Sequence, residues 1–95
     1  MEKQELSCSD GYRFEKYIRE GIDAALVEDY ECLDINMHRI WDILSGWRRD
    51  SKISESDGIW LSYMFYAAHH VAIDRDWKHV VRILKRMLVE FRIIF

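Results

Sequence analysis

The sequence predicts an all-α protein, a compact antiparallel bundle of three to five helices. Apolar residues recur three and four positions apart along most of the chain, no proline occurs in 95 residues, and the polar connections between periodic stretches are short. Gaps of three and four return side chains to one helix face. Proline is excluded from helix interiors and common in turn-rich β folds, so its absence points the same way. Short connections make neighbouring helices antiparallel.

Residues 1–8 read as a frayed leader. A first helix follows, with Ser9 or Asp10 as candidate cap and Phe14, Tyr17, Ile18, Ile22, Ala25 and Leu26 as its apolar stripe. The stripe continues without interruption through Tyr30, Leu33, Met37, Ile40, Trp41, Leu44 and Trp47. One helix of that length would be unusual in a globular chain, so a break is expected, at Gly21 or within residues 28–35, with the later position favoured and Asp34 as a candidate cap. Gly46 and then residues 48–54 end this segment and form the clearest connection. Ser54 and Asp57 have the spacing of a capping box opening a helix to about Ile73. That helix is apolar on all sides, which predicts burial or an interface. Asp74, Arg75 and Asp76 make a short turn, and Asp76 is the expected cap of a last helix. Its stripe is Trp77, Val80, Val81, Leu84, Met87, Leu88 and Phe91, and its other face carries Lys78, Arg82, Lys85 and Arg86. The apolar end Ile93, Ile94 and Phe95 must be buried or in contact with something.

The chain suits one helical domain over residues 1–95. A domain of this size buries roughly 60–70% of the surface of its unfolded chain, enough for a core without staples. The 49% hydrophobic and 33% charged residues predict segregated faces and exclude a disordered composition. Two cysteines, Cys8 and Cys32, do not make a disulfide framework, residues 1–10 lack the apolar stretch of a secretory signal, and no apolar run is long enough for a membrane span. A cytoplasmic protein is expected. Net charge is −3, but residues 1–47 carry eleven acids and five bases, whereas residues 48–95 carry six acids and nine bases. Two mutually attracting halves, or two faces for different partners, would account for that asymmetry.

Four glycines at 11, 21, 46 and 58 form no phosphate cradle, and none of the short metal, redox or nucleophile signatures occurs. No cofactor is expected and no catalytic residue is assigned. His69, His70, Asp74, Asp76 and His79 cluster in sequence. His70 and Asp74 at a spacing of four, and Asp76 and His79 at a spacing of three, could ligate a transition metal, but capping around a tight turn is the plainer reading. Trp41, Trp60 and Trp77 fit their helical stripes and are expected in the core. Trp47, beside Arg48 and Arg49, is expected to be exposed. Glu28, Asp29, Glu31 and Asp34, with Tyr30 among them, form either a solvated bend or a docking surface for a basic partner, since acidic patches steer encounter with basic sites. The basic stripe of the last helix most economically pairs with the acidic half. A sequence pI near 5.8 and the lack of aromatics interleaved on that stripe argue against nucleic acid as a partner.

These features lead to a protein-binding inhibitor of the immunity type, one that neutralises a toxin or defence enzyme such as a nuclease. Glu28, Asp29, Tyr30, Glu31 and Asp34 would bind the partner, with Trp47 as a second anchor. In style the chain resembles bacteriocin immunity proteins and phage-encoded inhibitors, and no motif ties it to a family. The alternatives are a homo-oligomerising assembly module, suggested by the all-round apolar helix and the apolar C-terminus, and a metal-dependent enzyme built on the histidine cluster.

Overall fold

Four rows of apolar residues at helical spacing become four helices in the computed structural model, which describes residues 8–95. They are α1 (Cys8–Leu26), α2 (Tyr30–Arg49), α3 (Glu55–Ile73) and α4 (Trp77–Ile94), and no strand occurs among the described residues. Residues 1–7, most of the expected leader, lie outside the description, while residue 8 already belongs to α1.

Each helix turns one row inward. α1 contributes Phe14, Ile18, Ile22 and Ala25; α2 contributes Leu33, Met37, Ile40, Leu44 and Trp47; α3 contributes Leu61, Phe65, Ala68 and Ala72; α4 contributes Val80, Leu84, Met87 and Phe91. All belong to one core. The connections 27–29, 50–54 and 74–76 are too short to lead the chain back along a helix of about 27–30 Å, so successive helices reverse direction. α1 packs on α2 and α4, and α3 packs on α4 and, more sparsely, on α2; across one diagonal, Trp47 of α2 reaches Phe91 of α4 through the core. With extents of 39 × 22 × 21 Å, the helices stand at the corners of a near-square prism.

All three connections share one device. The residue two places beyond each helix is left-handed without being glycine: Glu28 at φ 57°, Ser51 at φ 54° and Arg75 at φ 58°. Around each, two amides reach back to the closing turn. Glu28 N–H donates to Ala25 O and Asp29 N–H to Ala24 O, and the same pair of bonds recurs at Ser51 and Lys52 and at Arg75 and Asp76. This is the Schellman closure, which normally selects glycine. The next helix then starts on a side-chain cap. Asp29 accepts from Cys32 N–H, Ser54 from Asp57 N–H and Asp76 from His79 N–H.

The caps expected at Ser54 and Asp76 therefore stand, and several boundaries move. Ser9 and Asp10 lie inside α1 rather than ahead of it, and Asp10 pairs with Arg13 at 3.1 Å. Gly21 breaks no helix. A Cβ there would meet Leu84 Cδ1 at 3.3 Å, so it serves the close approach of α1 to α4. The break falls at residues 27–29, Asp29 rather than Asp34 caps α2, and Gly46 lies within α2. Gly58 has a different constraint: a Cβ would meet Arg48 Cγ at 2.9 Å. The Arg48 side chain crosses α3 there and its Nη1 donates to buried Ser62 Oγ at 3.0 Å, tying the end of α2 to α3.

Two tryptophans exchange the places expected of them. Trp47 is only 4% exposed: it lies 4.9 Å from Phe14, stacks on Phe91 at 6.1 Å and meets Phe95 at 5.6 Å. Its neighbours Arg48 and Arg49 fall outside the core, Arg48 lying across α3 and Arg49 in solvent, because Trp47 continues the Leu33, Met37, Ile40, Leu44 row. Trp60, by contrast, is 45% exposed, one position off the inner row of α3. Trp41 and Trp77 are partly buried against the core. The C-terminus is divided: Phe95 packs on Phe91 and Trp47, while Ile93 stays exposed.

Candidate functional site

The acidic stretch lies outward, as its charge requires, but its members have different employments. Asp29 is the cap of α2, and Tyr30 lies beneath the guanidinium of Arg75, 3.7 Å from the ring centroid. Arg75 also donates to Ile73 O, so the turn between α3 and α4 holds it over the tyrosine. Asp34 lies 3.6 Å from His38, whose ring bonds the Asp34 carbonyl. Glu28 and Glu31 are exposed and make no ion pair among the described residues. Trp47, the sixth residue expected at the partner surface, is buried at the other end of α2 and presents nothing to a partner.

Of the histidine and aspartate cluster, only Asp76 and His79 are brought together, with Oδ2 to Nδ1 at 2.6 Å. Asp76 is at the same time the cap of α4. His70 and Asp74 are exposed near the end of α3, and His69 stacks on Phe65. Among the described residues no three groups are gathered as a metal ion needs.

The basic stripe does not pair with the acidic half in the way expected. Arg86 binds Glu90 on its own helix, and Lys78, Arg82 and Lys85 make no ion pair among the described residues. The bond between the halves is made by Arg92, which donates to Glu15 at 2.8 Å. The reason is angular: Arg92 lies beside the buried row and leans towards α1, whereas Arg82 and Arg86 lean towards α3.

The most unusual surface belongs to α3. Opposite its buried row runs a second apolar row, with Ile59 54%, Tyr63 67%, Tyr66 57% and Ile73 51% exposed, and exposed His70 between the last two. The positions 59, 63, 66, 70 and 73 alternate steps of four and three, the spacing by which helices seat against one another. Grooves flank the row on both sides. The one towards α2 is lined by Met37, His38, Trp41, Phe65, Tyr66 and His69. The one towards α4 is lined by Trp60, Tyr63 and Ile83 together with Arg82 and Arg86, and Trp60 and Tyr63 stack in it at 6.1 Å and 2°. The α3–α4 side thus sets aromatic rings beside arginines, although no aromatic lies on the basic stripe of α4 itself. The sequence pattern marks α3 as apolar all round. The signal that identifies the site is narrower, a four-three row two positions out of phase with the buried one.

No helix among the described residues is long and apolar enough to cross a membrane, α3 included. Compared with protein-family models, curated proteins and solved structures, the chain matches none.

Proposed function

We propose that this protein is an assembly module, a small helical subunit that associates with copies of itself through the outer face of α3. The observation that carries this reading is the exposed row of Ile59, Tyr63, Tyr66 and Ile73. Each of these four side chains is more than half exposed, and α3 meets the rest of the core chiefly through Leu61, Phe65, Ala68 and Ala72. Contiguous apolar surface of this kind marks interaction sites, and a four-three row is self-complementary: it offers a like helix both ridge and groove. Light scattering on the purified chain across a hundredfold range of concentration tests the reading. A mass above that of one chain, persisting on dilution and lost in Tyr63→Glu with the helical circular-dichroism spectrum intact, is expected. A single-chain mass at every concentration would refute it.

A second reading keeps the inhibitor of the immunity type, acting on a basic toxin or defence enzyme. It is favoured by Glu28 and Glu31, two exposed carboxylates without an ion pair among the described residues at one end of the bundle. Such a surface would steer and cover a cationic site. Wild-type protein should then retain a basic protein from its host's extract that Glu28→Lys with Glu31→Lys does not retain. Equal retention by both would remove this reading.

A further inference from the structure

We infer that α3 is a hinged wall of the bundle: its part beyond Phe65 swings away from α2, and the guanidinium of Arg75 on Tyr30 is the clasp that holds it closed. The inference does not depend on the assembly reading above. Its grounds are the way α2 packs on α3, the side chains near the end of α3 and a contact between two turns.

The seams between neighbouring helices are not alike. Where α1 meets α4, Gly21 brings the helices so close that a Cβ would lie 3.3 Å from Leu84 Cδ1. Between α2 and α3 stand large side chains instead. Trp41 lies 5.0 Å from the ring of Phe65 and 5.2 Å from that of Tyr66, and the two backbones meet more sparsely than at the other three seams.

The two ends of this seam differ as well. At one end residues 50–54 join α2 to α3, and the Arg48 side chain, laid across Gly58, donates to Ser62 Oγ at 3.0 Å. At the other end α2 begins from α1 and α3 runs on into α4, so no connection of the chain spans the seam. Arg75 spans it. Its guanidinium lies 3.7 Å from the centroid of the Tyr30 ring while it donates to Ile73 O.

The inner row of α3 tapers towards this free end. Leu61, Met64 and Phe65 are its buried apolar residues in the middle of the helix, whereas Ala68 and Ala72 are those of the last part, with Val71 partly buried. A methyl group removes far less apolar area from water than an isobutyl group or a ring, so the last two turns are held to the core by less. Segments with few buried apolar contacts open without unfolding of the whole. The opening pivots on the contact of Trp41 with Phe65, parts Tyr66 from Trp41 and uncovers Met37, which lines the groove between the two helices.

Amide hydrogen exchange, followed residue by residue, tests the device. In wild type the amides of residues 66–70 should exchange through an opening insensitive to low denaturant, ahead of those of residues 61–65 and of α1. Arg75→Gln should speed residues 66–70 by about two- to fivefold, the effect of losing an exposed cation from a ring face, and leave α1 unchanged. In a Tyr30→Leu background the same substitution should add nothing, because the ring is already gone. Wild type and variants are compared at equal mass by light scattering, so that assembly does not enter. Fast exchange confined to residues 71–73 is ordinary fraying of a helix end and would overturn the hinged wall, as would exchange of residues 66–70 in step with α1. An effect of Arg75→Gln that is absent, or equal in both backgrounds, would overturn the clasp.

Discussion

Helices α3 and α4 bury rows of identical spacing, Leu61, Phe65, Ala68 and Ala72 against Val80, Leu84, Met87 and Phe91. Their outward sides diverge. α4 presents Lys78, Arg82, Lys85 and Arg86 to solvent, the ordinary composition of a bundle helix, whereas α3 presents Ile59, Trp60, Tyr63 and Tyr66. The buried rows answer to the same need, a core. The outer faces do not, since most of their side-chain surface meets solvent in both helices. The two helices thus differ on the side that the fold leaves free, and the proposed assembly rests on that difference.

That contrast can be broken at several points. The largest effect belongs to the two tryptophans. Trp47→Ala should cost about 3–5 kcal/mol in a denaturant titration, because Phe14, Phe91 and Phe95 all lose a ring. Trp60→Ala, measured on the dissociated chain, should stay within about 1 kcal/mol of wild type. If the costs are reversed, α3 does not present Trp60 outward. Next come the inner rows: Leu84→Ala and Leu61→Ala should each cost about 2–5 kcal/mol, and a cost below about 1 kcal/mol for Leu61→Ala would mean that α3 is not anchored as α4 is.

Smaller effects sharpen how the two helices begin and how the turns close. Ser54→Ala and Asp76→Ala should each lower stability by about 1 kcal/mol, seen as a reduced melting temperature, since each leaves an amide at the helix start without its acceptor. Glu28→Gly should raise stability by about 1 kcal/mol by relieving a left-handed residue with a Cβ, an outcome visible as a higher denaturant midpoint. The same change at Arg75 should gain less, because the stack on Tyr30 is lost with the side chain. Glu31→Lys should move the midpoint by no more than about 0.5 kcal/mol.

Much of the fold could be read along the chain. The rows of α2 and α4, the caps at Ser54 and Asp76 and the extent of α3 are local patterns, and local patterns suffice when the hydrogen bonds concerned span three or four residues. The first boundary is less legible, because Glu28 occupies a turn position where glycine is the usual marker. A break made by a residue with no special propensity leaves no mark in composition; it is held by the bonds of Glu28 and Asp29 back to Ala25 and Ala24. The burial of Trp47 is hidden in the sequence for a related reason. Two flanking arginines suggest water, but direction on a helix follows phase, and the phase of Trp47 is that of Leu44 and Ile40.

For the candidate site, sequence alone determined that α3 is too apolar to be a surface helix and that acid and base are concentrated in different halves. Only the tertiary structure decided which apolar residues remain outside and which charges flank them. Four positions in every helix turn point in different directions, and a helix apolar on all sides carries no internal sign of which direction is inward. That choice is made by the neighbours, when α2 and α4 cover Leu61 and Phe65 and leave Ile59, Tyr63 and Tyr66 outside, with His38 and Trp41 on one flank and Arg82 and Arg86 on the other.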